Sequence, residues 1–131
     1  MWMRWRMLVA VGLLATTLTG CGTQTHRLLG AFILNDTGVD YGESSCSGTG
    51  EYADIREGLA VIVRDETGTT IGSTVLEWDS ASSTSQCVYR WEMTVGDAES
   101  YSIEVGARAA GTYSAEDMNR RYWQVATTVG E

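Results

Sequence analysis

The sequence predicts an all-β protein: a single β-sandwich of six to seven strands with one short helix before the last strand. Three observations predict this class. Apolar residues repeatedly alternate with polar ones, the apolar runs are joined by short connections, and a helical period is hardly present. The 131 residues suit one domain and are too few for two separate cores. We predict the sandwich over residues 28–131, immunoglobulin-like or transthyretin-like in topology.

The clearest predicted strand covers residues 87–95. Side chains of a strand point alternately to its two faces, so every second residue of this segment faces a core. The inward set consists of Cys87, Tyr89, Trp91, Met93 and Val95. Tyr101, Ile103 and Val105 repeat the same pattern and predict a neighbouring strand.

The other predicted elements follow from their flanking residues. Residues 28–34 and 59–63 are apolar on both faces, which is typical of central strands, and residues 65–68 form a turn in which Gly68 takes positive φ. Residues 69–78 predict a strand that is broken or bulged near Gly72, and residues 123–129 predict the last strand. A helix over 115–121 is predicted from Ser114 as its N-cap, with Asp117 three residues later.

The N-terminal segment has the layout of a signal peptide. Residues 1–6 are basic, and residues 7–15 form an apolar run that is far shorter than the roughly 20 residues of a membrane-spanning helix. Small and polar residues follow this run, as they do in exported proteins. We therefore predict that residues 1–20 are a signal peptide.

The four residues Leu18-Thr19-Gly20-Cys21 resemble the lipobox of bacterial lipoproteins. The resemblance implies that the Cys21 thiol carries diacylglycerol, that a peptidase cuts just before it, and that lipid holds the chain on the extracytoplasmic face of the cell membrane. Residues 21–27 are then the lipidated cysteine and a tether. An ordinary secretory signal with an incidental cysteine is the alternative.

Once Cys21 is lipidated, Cys46 and Cys87 are an even pair in an oxidising compartment, which favours a disulfide. Closing a loop of about 42 residues stabilises a fold by about 4 kcal/mol in the chain-entropy model. A reactive thiol or a metal pair is the alternative. No neighbouring cysteine or histidine in the sequence supports it.

The charge of the chain excludes some partners. The formal net charge is −8, and without Arg4 and Arg6 of the signal peptide seven arginines and seventeen acids leave −10. Nucleic acid and anionic lipid headgroups are poor partners for such a surface, because the binding of both needs clustered cations.

The sequence assigns no catalytic residue, no metal ligand and no cofactor. His26 is the only histidine and lies in the predicted tether, where a catalytic imidazole has no packed scaffold. Acids crowd residues 36–54, so calcium binding and a hydrolytic carboxylate pair stay open as alternatives. Among these acids, Asp54 is predicted to bond backbone N–H groups of the following turn.

Aromatic residues divide into two groups. Tyr89, Trp91 and Tyr101 lie in the inward register and are predicted to pack in the core. An exposed aromatic patch is the alternative for Trp78, Tyr122 and Trp123. The apolar alternation does not predict whether these three side chains point to the core or to solvent.

About 85 residues from Cys46 onward resemble a group of small secreted proteins and lipoproteins of actinobacteria. The likeness is carried by residues 46–55 (Cys-Ser-Gly-Thr-Gly-Glu-Tyr-Ala-Asp-Ile), by Gly58, Val61, Val63, Asp65, Gly68 and Cys87, by the strand around Tyr101, by Tyr113-Ser114, and by residues 123–130. This resemblance implies a single β-domain with one disulfide and implies no activity.

Our leading hypothesis is a lipid-anchored, non-enzymatic module that presents a surface to another envelope protein or to an extracellular ligand. A small envelope hydrolase that uses a carboxylate pair is the first alternative. A purely structural component of the envelope is the second.

Overall fold

The computed structural model describes residues 24–130, so the predicted signal peptide and Cys21 lie outside the described residues. The strands and the helix have these bounds: β1 Thr25–Asn35, β2 Asp40–Tyr41, β3 Cys46–Ser47, β4 Ala60–Arg64, β5 Thr70–Val75, β6 Glu77–Trp78, β7 Gln86–Gly96, β8 Ser100–Val105, β9 Arg108–Ser114, α1 Ala115–Arg120 and β10 Gln124–Gly130. A 3₁₀ turn covers Gly50–Tyr52.

Two four-stranded sheets form the sandwich and confirm the predicted class. Sheet A has the strand order β10-β1-β7-β6, and sheet B has the order β5-β4-β8-β9. The β2 and β3 strands form a separate two-stranded ladder. Seven described strands have five or more residues, which agrees with the predicted six to seven, and three have only two. The immunoglobulin-like and transthyretin-like topologies stay predictions.

The centre of sheet A is an antiparallel ladder between β1 and β7. Eleven residue pairs run from Thr25 opposite Gly96 to Asn35 opposite Gln86. The β10 strand then pairs with the other edge of β1 in parallel, starting with Gln124 opposite Leu29. The chain therefore places its first and last described strands side by side.

The core lies between the two sheets and follows the predicted register. All five residues of the inward set of β7 are buried, and so are Tyr101, Ile103 and Val105 of β8. From β1, Leu28, Phe32 and Leu34 are fully buried against them. Arg90, Glu92 and Thr94 face solvent, as the alternation of 87–95 predicts.

Two glycines allow large side chains to fill the space between the sheets. A Cβ on Gly30 of β1 would lie 1.9–2.3 Å from atoms of the Trp91 indole, so the ring occupies the room that a side chain would take. A Cβ on Gly72 of β5 would lie 2.6 Å from Met93 Sδ, so β5 approaches β7 closely there. These contacts are part of the sandwich packing.

A disulfide between Cys46 and Cys87 confirms the predicted pairing, with a Cα–Cα distance of 5.5 Å. It joins the β2–β3 ladder to the central strand β7. The hydroxyl of Tyr89 donates a hydrogen bond to the Cys46 carbonyl. Burial, together with the charge of Glu57, raises the pKa of Tyr89 to about 12, so the hydroxyl keeps its proton and remains a donor.

The predicted turn and helix are also confirmed. Gly68 has a φ of +83°, and the Asp65 carboxylate accepts hydrogen bonds from the backbone N–H groups of Thr67 and Thr69. The Ser114 hydroxyl caps α1 by accepting from the Asp117 N–H at 3.1 Å. Within residues 24–130, no helix has the length and apolar character needed to cross a bilayer.

Three details differ from the prediction. The first strand begins at Thr25, not at residue 28, and therefore includes residues assigned to the tether. The segment 69–78 is bulged next to Gly72 as predicted, but it breaks at Leu76, after which β6 joins sheet A. Strand β9 was not predicted, because Ala110 is its single buried residue and its apolar alternation is therefore weak.

The Gly30–Trp91 contact predicts that an alanine at Gly30 is destabilising, whereas an alanine at Gly96 is tolerated. We expect Gly30→Ala to lower the free energy of unfolding by about 1–3 kcal/mol, because the methyl group displaces the buried indole. In Gly96→Ala the new Cβ meets no atom within 4 Å, and we expect a change of less than about 1 kcal/mol. Urea denaturation of both variants measures this difference. Equal stability of the two variants would contradict the packing described here.

Candidate functional site

The outer face of sheet A carries an open groove of about 660 Å³. It runs over the strands β10, β1, β7 and β6. The side chains and backbone that line it belong to Arg27, Leu29, Gly30, Ala31, Glu77, Val88, Arg90, Trp91, Glu92, Gln124 and Val125. Among them, Gly30, Trp91 and Val125 belong to the inward register and border the groove from below.

The floor of the groove is aliphatic. Leu29 and Ala31 point outward from β1, and Ile33 continues their row; Val88 of β7 lies opposite Ile33. At Leu29 this row of side chains is accessible to solvent, since 36% of that residue is exposed. Residues 28–34 are apolar on both faces, as the sequence indicates, but they are not buried on both, because no layer of the described residues covers the face that carries Leu29.

Charged side chains form the rim of the groove. Arg27 pairs with Glu92, and Arg90 pairs with Asp79. Both arginines keep most of their surface in water, with side-chain exposures of 70% and 75%. Glu77 lies opposite Arg90 in the ladder between β6 and β7 and adds a further acid to the rim. The groove thus combines an apolar floor with a rim of both charge signs.

A second, smaller depression of about 330 Å³ lies at the end of the sandwich where β1 finishes. Asn35, Asp36, Thr37, Glu51 and Tyr52 line it. The Asp36 carboxylate accepts the Gly38 N–H at 3.1 Å and so closes its own turn. In residues 24–130, no group of three or more His, Cys, Asp or Glu side chains is placed to hold a metal ion.

Asp54 has a different partner from the one predicted. Both terminal nitrogens of the Arg108 guanidinium, Nη1 and Nη2, donate to its carboxylate, with Nη2–Oδ1 at 2.9 Å. Arg108 Nη2 also donates to the Glu51 carbonyl at 3.0 Å. The hydrogen bonds from Arg108 hold the pKa of Asp54 below its usual value. Arg108 begins β9, so this pair holds the connection between β3 and β4 against sheet B.

Asp65 is also committed to local structure. The hydrogen bond from the Thr67 hydroxyl, supported by the backbone N–H groups of Thr69 and Thr67, lowers the pKa of its carboxyl. Such a carboxylate stays ionised and orders the turn between β4 and β5. It has the wrong direction of shift for a general acid, which needs a raised pKa.

The prediction that His26 lies in an unpacked tether is wrong. Its ring stacks on Trp123 with centroids 3.8 Å apart and an interplanar angle of 7°. Its Nε2 lies 2.7 Å from Asp97 Oδ1, a hydrogen bond in which the imidazole N–H donates. Trp123 in turn meets Tyr101 edge-on at 5.2 Å. We call His26, Asp97, Tyr101 and Trp123 the end cluster, because together they close one end of the core.

The aromatic patch considered from the sequence does not form as a group of three. Trp78 and Trp123 are half-buried and pack against the core. Tyr122 alone of the three is fully open, with 84% of its surface exposed. It lies directly before Trp123 and therefore beside the end cluster.

The end cluster predicts that His26 contributes to stability. We expect His26→Ala to lower the free energy of unfolding by about 1–2 kcal/mol, because it removes the stack on Trp123 and the bond to Asp97. His26→Phe keeps an aromatic ring on Trp123, so its free energy of unfolding should fall by less than that of His26→Ala. Urea or thermal denaturation measures both. A His26→Ala variant as stable as the parent would restore the tether interpretation.

The Asp54–Arg108 pair predicts a pH-dependent contribution. Because the pKa of Asp54 is lowered in the folded state, its contribution is present above the unfolded pKa and is lost as the pH falls through the folded pKa. We expect Asp54→Asn to cost at most about 1 kcal/mol at neutral pH, since 48% of the Asp54 side chain is exposed. Unfolding of parent and variant across the acid range measures the difference, which should shrink on acidification. Glu43→Gln, at an exposed acid in the turn between β2 and β3, is the control. A difference between parent and Asp54→Asn that does not change with pH would contradict the assignment.

Comparison with known proteins adds no relative to this description. No protein-family model matches the chain, and neither a curated protein nor a solved structure matches it at a significant level. The resemblance to small actinobacterial secreted proteins stays a prediction.

Proposed function

We propose that this chain is a lipid-anchored, non-enzymatic interaction module of the cell envelope, and that the groove on sheet A holds a protein partner. The observation that carries the proposal is that β1 has two apolar faces but only one of them is covered by another sheet. The strand is apolar on both faces, whereas the sandwich covers only the inner one. A central strand that is apolar on both sides normally has a covering layer on each.

The chemistry of the groove favours a protein as the occupant. Its floor of Leu29, Ala31 and Val88 offers apolar contact, and arginines and acids surround that floor. This arrangement is typical of protein interfaces, which have an apolar centre and a polar rim in which arginine is common. Because the groove is open along the strands, it suits an extended protein surface better than a small molecule, which binds in a deeper cavity.

The anchor is proposed from the sequence. The signal-peptide layout of residues 1–20 and the lipobox-like residues 18–21 support the proposal of a lipid on Cys21. The disulfide between Cys46 and Cys87 supports export, because such bonds persist in oxidising compartments. The domain would then lie on the extracytoplasmic face of the membrane.

The carboxylate-pair alternative has less support. Asp54 and Asp65 both have lowered pKa values, and both are engaged in local structure, one with Arg108 and one in its own turn. Glycosidases of the carboxylate type need one acid whose pKa is raised so that it can donate a proton. The interaction module therefore remains the proposal.

The anchor predicts a defect in one cysteine variant. We expect Cys21→Ala to take up no labelled palmitate and to keep its signal peptide, because the thiol is the group that is modified. The double variant Cys46→Ser, Cys87→Ser keeps Cys21 and should still be labelled. Mass spectrometry of the membrane-associated chain measures both. A Cys21→Ala chain that still matures and incorporates lipid would contradict the anchor.

The groove predicts site-specific crosslinking in intact cells. A photoreactive benzoylphenylalanine at Ala31 or Val88 should give a discrete adduct with one extracytoplasmic protein, identified by mass spectrometry. The same probe at Ile62, a half-buried aliphatic residue on the outer face of sheet B, is the control and should give none.

A second substitution separates docking from chance proximity. Leu29→Glu places a charge on the apolar floor and should abolish the adduct formed from Val88, whereas Ile62→Glu should leave it unchanged. Both variants must first show the parental circular dichroism spectrum. Equal adducts from both faces, or none from the groove, would contradict the proposed surface.

A further inference from the structure

We infer that the end of the sandwich that carries Tyr122 contacts the headgroup layer of the membrane, with Tyr122 as the contacting side chain. The inference rests on the proposed lipidation of Cys21. It goes further by naming the surface that faces the bilayer and the residue that touches it.

The length of chain before the fold limits how far this end can stand from the lipid. Gly22, Thr23 and Gln24 separate Cys21 from Thr25, where β1 begins. A fully extended chain spans at most 3.3–3.6 Å per residue, so four residues reach about 14 Å. The sequence-based tether of residues 21–27 allowed a longer reach, but Thr25, His26 and Arg27 are part of the sheet. The first residue of the fold must therefore lie close to the membrane surface.

The strand register shows what else lies at this end. Thr25 pairs with Gly96, so the turn from β7 to β8 is beside the start of β1. The turn from α1 to β10 is there as well, because the Trp123 ring stacks on His26 and the Leu29 N–H donates to the Trp123 carbonyl at 2.9 Å. Opposite this end, roughly 33 Å away along the ten steps of β1, are Asn35 and the loop that follows it.

Tyr122 is held outward at this position. It and Trp123 have φ values of +54° and +61°, which place two consecutive aromatic residues in the left-handed region. This backbone conformation is unfavourable for L-residues with a side chain. The contacts of Trp123 with His26 and Tyr101 hold the turn in that conformation. The result is a rigid turn with one open aromatic side chain, 84% exposed.

The chemistry of this side chain fits the interfacial zone of a bilayer. A tyrosine combines an apolar ring with a polar hydroxyl, and it is enriched where apolar and aqueous phases meet. Arg120 and Arg121 precede it, and both have partners within the fold. Arg120 Nη2 lies 3.3 Å from carboxylate oxygens of Glu116 and Asp117, and the Arg121 guanidinium lies over the Tyr113 ring. The contact is therefore assigned to Tyr122 alone.

Electrostatic attraction is not what holds this contact. Asp97 and Glu99 lie in the turn from β7 to β8, and Glu116 and Asp117 lie in α1, so these four acids outnumber Arg120 and Arg121. Arg27, the third residue of β1, is paired with Glu92. Anionic lipid would be repelled by these acids. The lipid on Cys21 and the ring of Tyr122 therefore carry the contact, and it should be closest on a zwitterionic bilayer.

Fluorescence quenching on vesicles tests the orientation. The full chain is isolated from bacterial membranes, its Cys21 lipid is measured by mass spectrometry, and it is placed in phosphatidylcholine vesicles that contain a lipid with a nitroxide on its headgroup. A single bimane-labelled cysteine is introduced by Asn119→Cys, an exposed α1 position beside Tyr122, or by Thr37→Cys at the opposite end. We expect strong loss of bimane fluorescence at position 119 and little at position 37.

Each outcome has a separate meaning. Lipid on Cys21 with equal or reversed quenching overturns this inference and leaves the proposed anchor standing. A chain without lipid on Cys21 overturns the proposed anchor, and this inference with it. Quenching at position 119 that rises with added phosphatidylglycerol would overturn the role given to Tyr122, because it would show attraction by charge.

A matched pair of tyrosine variants tests the contacting residue. Tyr122→Ala should reduce the quenching at position 119 while lipidation and the circular dichroism spectrum are unchanged. Tyr41→Ala removes the other exposed tyrosine, 41% exposed in β2 at the opposite end, and should leave the quenching unchanged. Equal quenching in Tyr122→Ala and the parent would overturn the assignment of Tyr122.

Discussion

The eleven-residue ladder between β1 and β7 is the constraint on which the rest of the structure depends. Its inward side chains supply much of the core, and its outward side chains form the floor of the groove. A slip of one residue would exchange these two sets, because neighbouring side chains of a strand point to opposite faces. Gly30 opposite Trp91 helps to set the register, since the indole occupies the space above that glycine.

The two ends of the same ladder have different chemistry. At one end, Thr25 and Gly96 meet beside the end cluster, close to the site of the proposed anchor. At the other end, the disulfide from Cys87 holds the β2–β3 ladder, which lies within the acid-rich residues 36–54. If lipid holds Cys21, the groove lies along the axis between membrane and solvent, where an envelope protein can reach it.

Three acids of the described residues have defined structural partners. Asp54 holds the connection between β3 and β4 against β9 through Arg108. Asp65 orders the turn between β4 and β5, and Asp97 binds the imidazole of His26. Each of these carboxylates accepts hydrogen bonds from its partner.

The sequence by itself determined the features that depend on neighbouring residues. The alternation in residues 87–95 defined the inward set of β7, Ser114 and Asp117 marked the start of α1, and Gly68 marked a turn. The count of cysteines, given Cys21 as the anchor, left a single pairing, which the fold contains. Periodicity, capping and turn chemistry act within a few residues, and these features could therefore be read directly.

Only the tertiary structure decided the features that join distant parts of the chain. His26 meets Asp97 across 71 positions and stacks on Trp123, and Asp54 meets Arg108 across 54 positions. The outward face of β1 could be recognised as apolar, but not as uncovered, because the number of layers is set by how the sheets pack. Side chains that look unpartnered in a linear sequence gain their partners only when non-local strands pair, and those pairings leave no periodic signal in the sequence.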